Sequence, residues 1–427
     1  MILVRGNQPC RLLLVGLLAT SQPALALQFN ANAGLGVEYS DNVAEVASNE
    51  QEDLILHANL AAILEESTGP LLARAEASWN HQNYRDNSFG DQDYFSLNAV
   101  ADWEQLRDRL SWNIRDYYTQ TSINSLGTDT PDNTENTNAF SFGPTVRFPV
   151  SARQDVFVAP FFSDYTYEES NLDNRRYGLS AGWSYQMYPT MKVGLEGDVI
   201  DVNYEDINTD YRTSSIHSVL SGTRAHSVYR MTLGYTIIDR DSFSNHEGPT
   251  GSFSWLYNLT GKSSIRAYMA SSLTDASSRF LGSVIQPDHG DFTNVQTSSD
   301  IFRDNIVRLE YSRRESTLNT RVWSEFRDLD YKEEPNDRKV QDYGAEITYD
   351  MSALITAGLT GSYVRTKQTD TGHINKEYLV GGNLRYNLSR KLSCLFNVTY
   401  EEEDSTLATT EYDELSVFAG LTYAFGR

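Results

Sequence analysis

Apolar and polar residues alternate one for one, in stretch after stretch, from residue 28 to the end of the chain. In residues 29–39, Phe29, Ala31, Ala33, Leu35, Val37 and Tyr39 fall on one side, and Asn30, Asn32, Gly34, Gly36 and Glu38 on the other. Residues 93–104 repeat the pattern, setting Phe95, Leu97, Ala99, Ala101 and Trp103 against Ser96, Asn98, Asp102 and Glu104. Tyr177, Leu179, Ala181, Trp183, Tyr185 and Met187 do so again, as do Tyr378, Val380, Gly382, Leu384 and Tyr386. A helix would scatter these residues round its circumference, whereas a strand sends successive side chains to opposite faces. The chain reads as all-β.

The connections between these stretches are sorted by length. Short turns fall near 67–69, 107–108, 150–152, 188–190, 224–226, 260–262, 315–317, 351–353 and 389–390. Longer polar stretches lie between them, at 40–52, 83–92, 119–136, 168–175, 205–211, 239–249, 275–298, 329–339, 368–375 and 403–411. Nine turns and ten loops join about twenty strands (18–22) and put both chain ends on the short-turn side. Short periplasmic turns and long extracellular loops are the asymmetry of a transmembrane antiparallel up-and-down β-barrel. A string of secreted β-sandwiches has no reason to sort its turns this way. The composition agrees: the chain has 26 Tyr, 18 Phe and 6 Trp, yet only 40% of its residues are hydrophobic. A strand with one face to lipid and one to water averages out in this manner. Tyr177 and Tyr185, or Tyr378 and Tyr386, stand eight residues apart on the apolar face. At roughly 3.3 Å per residue and a tilt of about 40°, that spacing covers about 20 Å, the height between two aromatic girdles.

Residues 1–26 stand apart. Arg5 and Arg11 precede the apolar run Leu12–Ala19, and Ala24-Leu25-Ala26 supplies a small-x-small cleavage pattern, so this segment reads as an export leader and residues 27–427 as a single barrel domain. The apolar run is too short to span a bilayer. Cys10 lies inside the leader, and Cys394 remains alone, so no intrachain disulfide is expected. Removing Arg5 and Arg11 leaves 33 basic against 58 acidic residues, a net charge of −25. Such an acidic balance argues against nucleic acid as a partner and reads first as a solvated surface.

Charged residues of both signs occupy the polar faces. Arg74, Glu76, Arg109, Arg115, Glu196, Asp198, Arg308, Glu310, Arg321, Glu325 and Arg327 alternate with apolar neighbours. An arginine facing lipid at the midplane costs roughly 2–4 kcal/mol, so these side chains are expected to line the lumen. Facing charges can pair across strands and stiffen the wall; they also make it wettable. A closed sheet of about twenty strands has a radius on the order of 20 Å, and sixteen to eighteen strands already leave an aqueous channel. Residues 275–298, with Pro287 and Gly290, read as a long extracellular loop able to fold inward as a constriction.

At the C-terminus, Gly420-x-x-Tyr423-x-Phe425 fits the pattern by which a last strand is recognised by the outer-membrane insertion machinery through strand addition. Gly426 and Arg427 follow it, and Phe418 stands where a polar residue is common.

An enzyme is not expected. His217 and Ser218 are the nearest thing to a nucleophile pair, but adjacent strand residues point to opposite faces. Histidine or cysteine clusters with metal spacing and glycine-rich phosphate loops are absent, so no cofactor or metal is expected. The run Glu401–Asp404 could approach a cation, but alternate residues cannot converge on one ion, and solvation is the simpler reading.

Two further stretches carry a resemblance. Tyr39-Ser40-Asp41-Asn42 closes the first strand before an acidic loop and Asp53-Leu54-Ile55; Asp300-Ile301-Phe302-Arg303-Asp304-Asn305 leads into the strand 306–312. Together these resemble the putative β-barrel porin 2 group, in particular its branch associated with exosortase and PEP-CTERM exopolysaccharide loci. The resemblance implies a Gram-negative outer-membrane barrel encoded beside polysaccharide synthesis and export. It implies as partners outer-membrane lipids, the assembly machinery, a separate periplasmic polysaccharide-export protein and the polysaccharide, and it supplies no catalytic residues. The expectation is a passive, hydrated pore for exopolysaccharide secretion. A general or solute-selective diffusion porin is the alternative, followed by a rim enzyme or surface scaffold.

Overall fold

The computed structural model describes residues 27–124, 127–279, 298–407 and 410–426. The leader, and residues 280–297 of the long loop, lie outside the described residues. Twenty strands are described, in chain order β1 (Gln28–Ser40), β2 (Asp53–Glu66), β3 (Leu71–Tyr84), β4 (Gln92–Leu106) and β5 (Leu110–Ser122). Next come β6 (Thr134–Ser151), β7 (Gln154–Tyr167), β8 (Asn174–Tyr188), β9 (Met191–Tyr204) and β10 (Tyr211–Arg224). The second half holds β11 (Ser227–Arg240), β12 (His246–Asn258), β13 (Ser263–Thr274), β14 (Phe302–Arg314) and β15 (Leu318–Tyr331). It ends with β16 (Arg338–Asp350), β17 (Ile355–Gln368), β18 (Ile374–Asn387), β19 (Leu392–Ser405) and β20 (Tyr412–Phe425).

Every strand pairs antiparallel with its sequence neighbours, and β1 closes on β20, from Ala31 opposite Phe425 to Ser40 opposite Ser416. Closure leaves no sheet edge, so backbone groups inside the bilayer are satisfied within the sheet. The register carries the apolar face from strand to strand: Leu60 opposes Trp79, Trp79 opposes Phe95, Tyr343 opposes Tyr363 and Tyr363 opposes Tyr378. Leu35, Leu233, Leu359 and Val380 on this face are all more than half exposed, which is tolerable only where the solvent is hydrocarbon. Aromatic contacts bind the girdles laterally, as in Phe95–Tyr118 at 5.6 Å and Tyr363–Tyr378 at 4.9 Å.

The two ends differ. At the short-turn end, bulges at Glu104/Leu106, Pro149/Ser151 and Gln186/Tyr188 tighten the approach to three turns. At the long-loop end the buried residues gather beneath the loops. One cluster joins Val202, Tyr204, Tyr211, Ile238, Leu273 and Ile301, another Tyr117, Ala139 and Tyr165, and a third Val43, Ile55 and Tyr84. Much of the acidic excess shapes these loops. Asp173, Asp210 and Asp337 each accept the backbone N–H of a tyrosine six residues earlier (Tyr167, Tyr204, Tyr331), at 2.7, 2.8 and 2.7 Å. Asp53 takes the amides of Asp86 and Ser88, Glu135 those of Glu169 and Ser170, and Asp300 those of Lys332, Glu333 and Glu334. A carboxylate holding two or three amides is a charge-assisted cap, not a free anion.

Candidate functional site: the barrel lumen

The face opposite the apolar band is the inner wall. By register, Arg74, Glu76, Arg115, Glu196, Asp198, Arg308, Glu310, Arg321, Glu325 and Arg327 all sit on it. Arg109 does not: it stands exposed in the turn at 107–109, before β5 begins, where strand alternation no longer assigns a face. These inward charges, Asp198 apart, are ion-paired. Arg74 meets Glu65 at 3.3 Å, Arg115 meets Asp102 at 2.9 Å, Arg230 meets Glu196 at 3.0 Å, and Arg308 meets Glu325 at 3.0 Å. Arg321 lies over the ring of the inward Trp323, 4.9 Å from its centroid. In the lower wall these groups stay open: Arg74, Glu76, Arg230 and Glu346 are 41–50% exposed, as befits a hollow that admits water.

Higher up, the wall is covered from within. The chain leaving β13 turns into the lumen instead of rising above it, and residues 276–279 form a helical turn there. Asp275, fully buried, accepts from Arg176 of β8 through both oxygens, at 3.2 and 2.6 Å, and from the Tyr204 hydroxyl of β9 at 3.0 Å. Ser277 bonds Tyr167 at 2.7 Å and Asn174 at 3.1 Å, and Ser278 bonds Arg176. Burial by itself would raise the Asp275 carboxyl; the Arg176 guanidinium and Ser278 outweigh it and hold the group at about 2. The return limb is anchored as well. Ile301 is buried in the cluster with Tyr204 and Tyr211, and Arg279 reaches Asp304 at 3.2 Å beside the Arg327–Glu325 pair at 2.7 Å. The two described ends of the 275–298 stretch thus lie against the inner wall; its middle, 280–297, lies outside the described residues. The residues that hold it, Arg176 and Asp275, are not separable in sequence from other rim charges.

The β1–β2 loop enters from another side. Asn42, buried, brackets the turn by donating to the carbonyls of Val46 and Asp413 and accepting from the Val46 amide, while Ser40 bonds Glu414. Glu45 follows with φ at +49°, a left-handed conformation that is strained for a glutamate. Its carboxylate accepts the Asp129 amide at 2.6 Å. Burial, then the Asp129 carboxylate, push the Glu45 carboxyl up to about 8, with Glu401 and Glu414 adding to the effect. Glu377, Glu401, Glu403 and Glu414 face inward from β18, β19 and β20, and none of them forms an ion pair with Arg or Lys among the described residues. One arc of the lumen is therefore acidic and unneutralised; the other is cross-linked by arginine.

Other sequence candidates fall as alternation dictates. His217 faces the lumen, bonded to Thr250 at 3.0 Å and Ser215 at 3.3 Å, while the outward Ser218 donates to the Leu233 carbonyl. Ser215 gives its proton to Asp198 at 2.6 Å, so the row Asp198–Ser215–His217 lacks the order in which an imidazole would take the hydroxyl proton. Of the run Glu401–Asp404, Glu401 and Glu403 point inward while Asp404 pairs outward with Lys376 at 2.6 Å. Among the described residues no group of three or more His, Cys, Asp or Glu has the geometry to hold a metal ion. In the last strand, Tyr423 and Phe425 face outward at the short-turn end, their rings 5.0 Å apart. Gly420 and Gly36 face inward beneath Phe418, whose ring occupies the place a Cβ at either would need. The aromatic that departs from the usual pattern thus accounts for the glycine that fits it.

A closed, lipid-facing sheet of twenty strands round a polar lumen defines an outer-membrane β-barrel of the porin-like or transporter class. The family described as "Putative beta-barrel porin 2" matches residues 336–425, the span of β16 to β20, and so supports the porin group. The stretches that carry the resemblance in sequence, 39–55 and 300–305, lie outside that match. No curated protein matches the chain. Among solved structures, the siderophore receptor PirA from Pseudomonas aeruginosa is 11% identical, with 95% of this chain and 81% of that one covered, at a TM-score of 0.47. OccK2 (OpdF) from Pseudomonas aeruginosa, in complex with glucuronate, is 10% identical over 94% of this chain and 98% of that one, at 0.40.

Proposed function

We propose that the barrel is a passive, size-restricted pore for hydrated polar molecules. The observation that carries this reading is the Asp275–Arg176 clamp. It anchors residues 275–279, where the chain leaves β13, against the inner wall and leaves the charges of the lower wall wetted. Chain anchored across part of a broad tube narrows it and so selects by size, while the ion-paired charges of the lower wall keep that wall hydrated. Reconstitution in planar bilayers tests it: wild-type protein should conduct ions, and vesicles containing it should admit small sugars faster than oligosaccharides. No conductance from folded protein, in wild type and in a clamp-released variant alike, would overturn the reading.

Exopolysaccharide passage is the second reading. It is favoured by the inward aromatic Trp323, set between Arg321 and Asp342, since an aromatic ring flanked by polar groups suits a hydrated sugar chain. It carries with it the exosortase-associated setting, the periplasmic export partner and the polymer itself. Deletion that removes surface polymer but leaves small-solute uptake unchanged would favour it over solute diffusion; the converse result would exclude it.

A further inference from the structure

The chain is acidic overall, yet one place on its lipid-facing surface gathers cations. Lys339 on β16, Arg365 and Lys367 on β17, and Lys376 on β18 all point outward, and the register joins them: Lys339 opposes Lys367, and Arg365 opposes Lys376. They stand directly above Tyr343, Tyr363 and Tyr378, which the same register sets side by side on the same face. One outward step along a tilted strand raises a side chain by about 5 Å. Arg365 and Lys376 are one step above their tyrosines, Lys339 and Lys367 two steps. Tyrosines of an upper girdle mark the edge of the hydrocarbon, so the four cations lie at headgroup height on the long-loop, extracellular side.

Other outward cations of this rim are held by the protein itself: Arg303 donates to the Pro249 carbonyl at 2.8 Å and to Ser271 at 3.2 Å. Arg175 is matched by Asp164 and Glu205, and Arg212 by Asp201 at 2.5 Å. Here Lys339 leans towards Asp328 at 3.9 Å on one flank and Lys376 towards Asp404 at 2.6 Å on the other. Between them Arg365 and Lys367 have no carboxylate partner among the described residues. Two cations without counter-ions, at the level where lipid phosphates lie, on a protein that otherwise repels anions, point to an anionic headgroup as the missing partner. A guanidinium offers a planar fork for phosphate, and a flanking ammonium a point charge.

We propose that the outward surface of β16–β18 is a binding site for a phosphorylated glycolipid of the outer leaflet, with Arg365 and Lys367 holding its phosphate and Lys339 and Lys376 at the margins. The test is native mass spectrometry and fluorescence titration of the full barrel in a neutral detergent with diphosphoryl lipid A. Fold is checked by heat-modifiable gel mobility. Wild type should bind stoichiometrically, and R365Q/K367Q should bind about ten-fold more weakly, the loss of two charge-assisted contacts. K339Q/K376Q, which leaves the central pair intact, should lose about two- to four-fold and serves if the first variant fails to fold. R212Q, at a rim cation already paired, should bind like wild type. Equal binding by wild type and both double variants, or undiminished binding of fully dephosphorylated lipid A, would overturn the proposal. Competition by phosphatidylglycerol vesicles as effective as by lipid A would overturn the assignment to a glycolipid.

Discussion

Two segments enter the lumen from different sides, and opposite electrostatics hold them. The β13–β14 ends are fastened by charge pairing: Asp275 to Arg176, and Arg279 to Asp304. The β1–β2 loop is fastened by neutral and amide contacts, and its glutamate, Glu45, is kept protonated by burial and then by the carboxylates around it. The first arrangement is strong and geometrically demanding; the second depends on a proton. One barrel thus carries a permanently ion-paired anchor on one side and a titratable one on the other.

The largest effect is expected from breaking the paired side. Arg176→Ala leaves the buried Asp275 carboxylate without its cation, a loss of about 3–5 kcal/mol. The β13–β14 ends should leave the wall, and single-channel conductance in planar bilayers should rise. An unchanged conductance would mean that the clamp does not set the pore. Charge removal on the other side comes next. At pH 9, where crowded carboxyls are ionised, the arc should make the open pore prefer cations, and Glu377→Gln combined with Glu403→Gln should lower the cation-to-anion permeability ratio by about two-fold or more, read from reversal potentials in a salt gradient.

A pH series separates the two sides more finely. A free Glu45 carboxyl ionises near its ordinary 4.5, whereas the docked one keeps its proton to about 8. The docked loop therefore binds more protons in that interval. Its docking is strongest below 4.5 and weakens as pH rises through 8. Asp275 behaves in the opposite sense, since its docked carboxyl is held at about 2 against an ordinary 3.8. Its clamp is fully present above 3.8 and lost only as pH falls towards 2. Between pH 5 and 9 the hydrogen-exchange protection factors, corrected for the intrinsic rate at each pH, should fall at amides 41–52 and stay constant at 275–279, and Glu45→Gln should abolish the first change. The smallest effects compare the inner and outer walls. A Cβ at Gly344 would strike the inward Trp323 ring, while one at the outward Gly361 finds nothing nearer than 3.7 Å. Gly344→Ala should cost about 1–3 kcal/mol in urea unfolding from vesicles, and Gly361→Ala no more than about 0.5 kcal/mol.

Much of this was legible without coordinates. The inward placement of Arg74, Glu196, Arg308 and Glu325 follows from alternation alone, because a strand has two faces and lipid rejects charge on one of them. Arg109 departs from the alternation for a local reason: it precedes β5, and a turn residue has no parity to read. Arg176 escaped notice because Arg175 beside it looks the same in sequence, yet one pairs outward with Asp164 and the other reaches into the lumen to Asp275. The repeated Tyr-x5-Asp spacing of three loops was a signal present in the sequence that foretold their shared shape.

The sequence alone determined an all-β chain, the number of its strands, the sorting of its turns and which face of each strand meets lipid, since all of these are set by residues one or two apart and by the length of the connections. Tertiary structure alone decided which loops turn inward and how lumen charge divides into a paired arc and an acidic one. Those outcomes need residues about a hundred positions apart, Arg176 with Asp275 or Glu45 with Asp129, to meet across the lumen. Only closure of the sheet brings them within reach, and no local pattern records that distance.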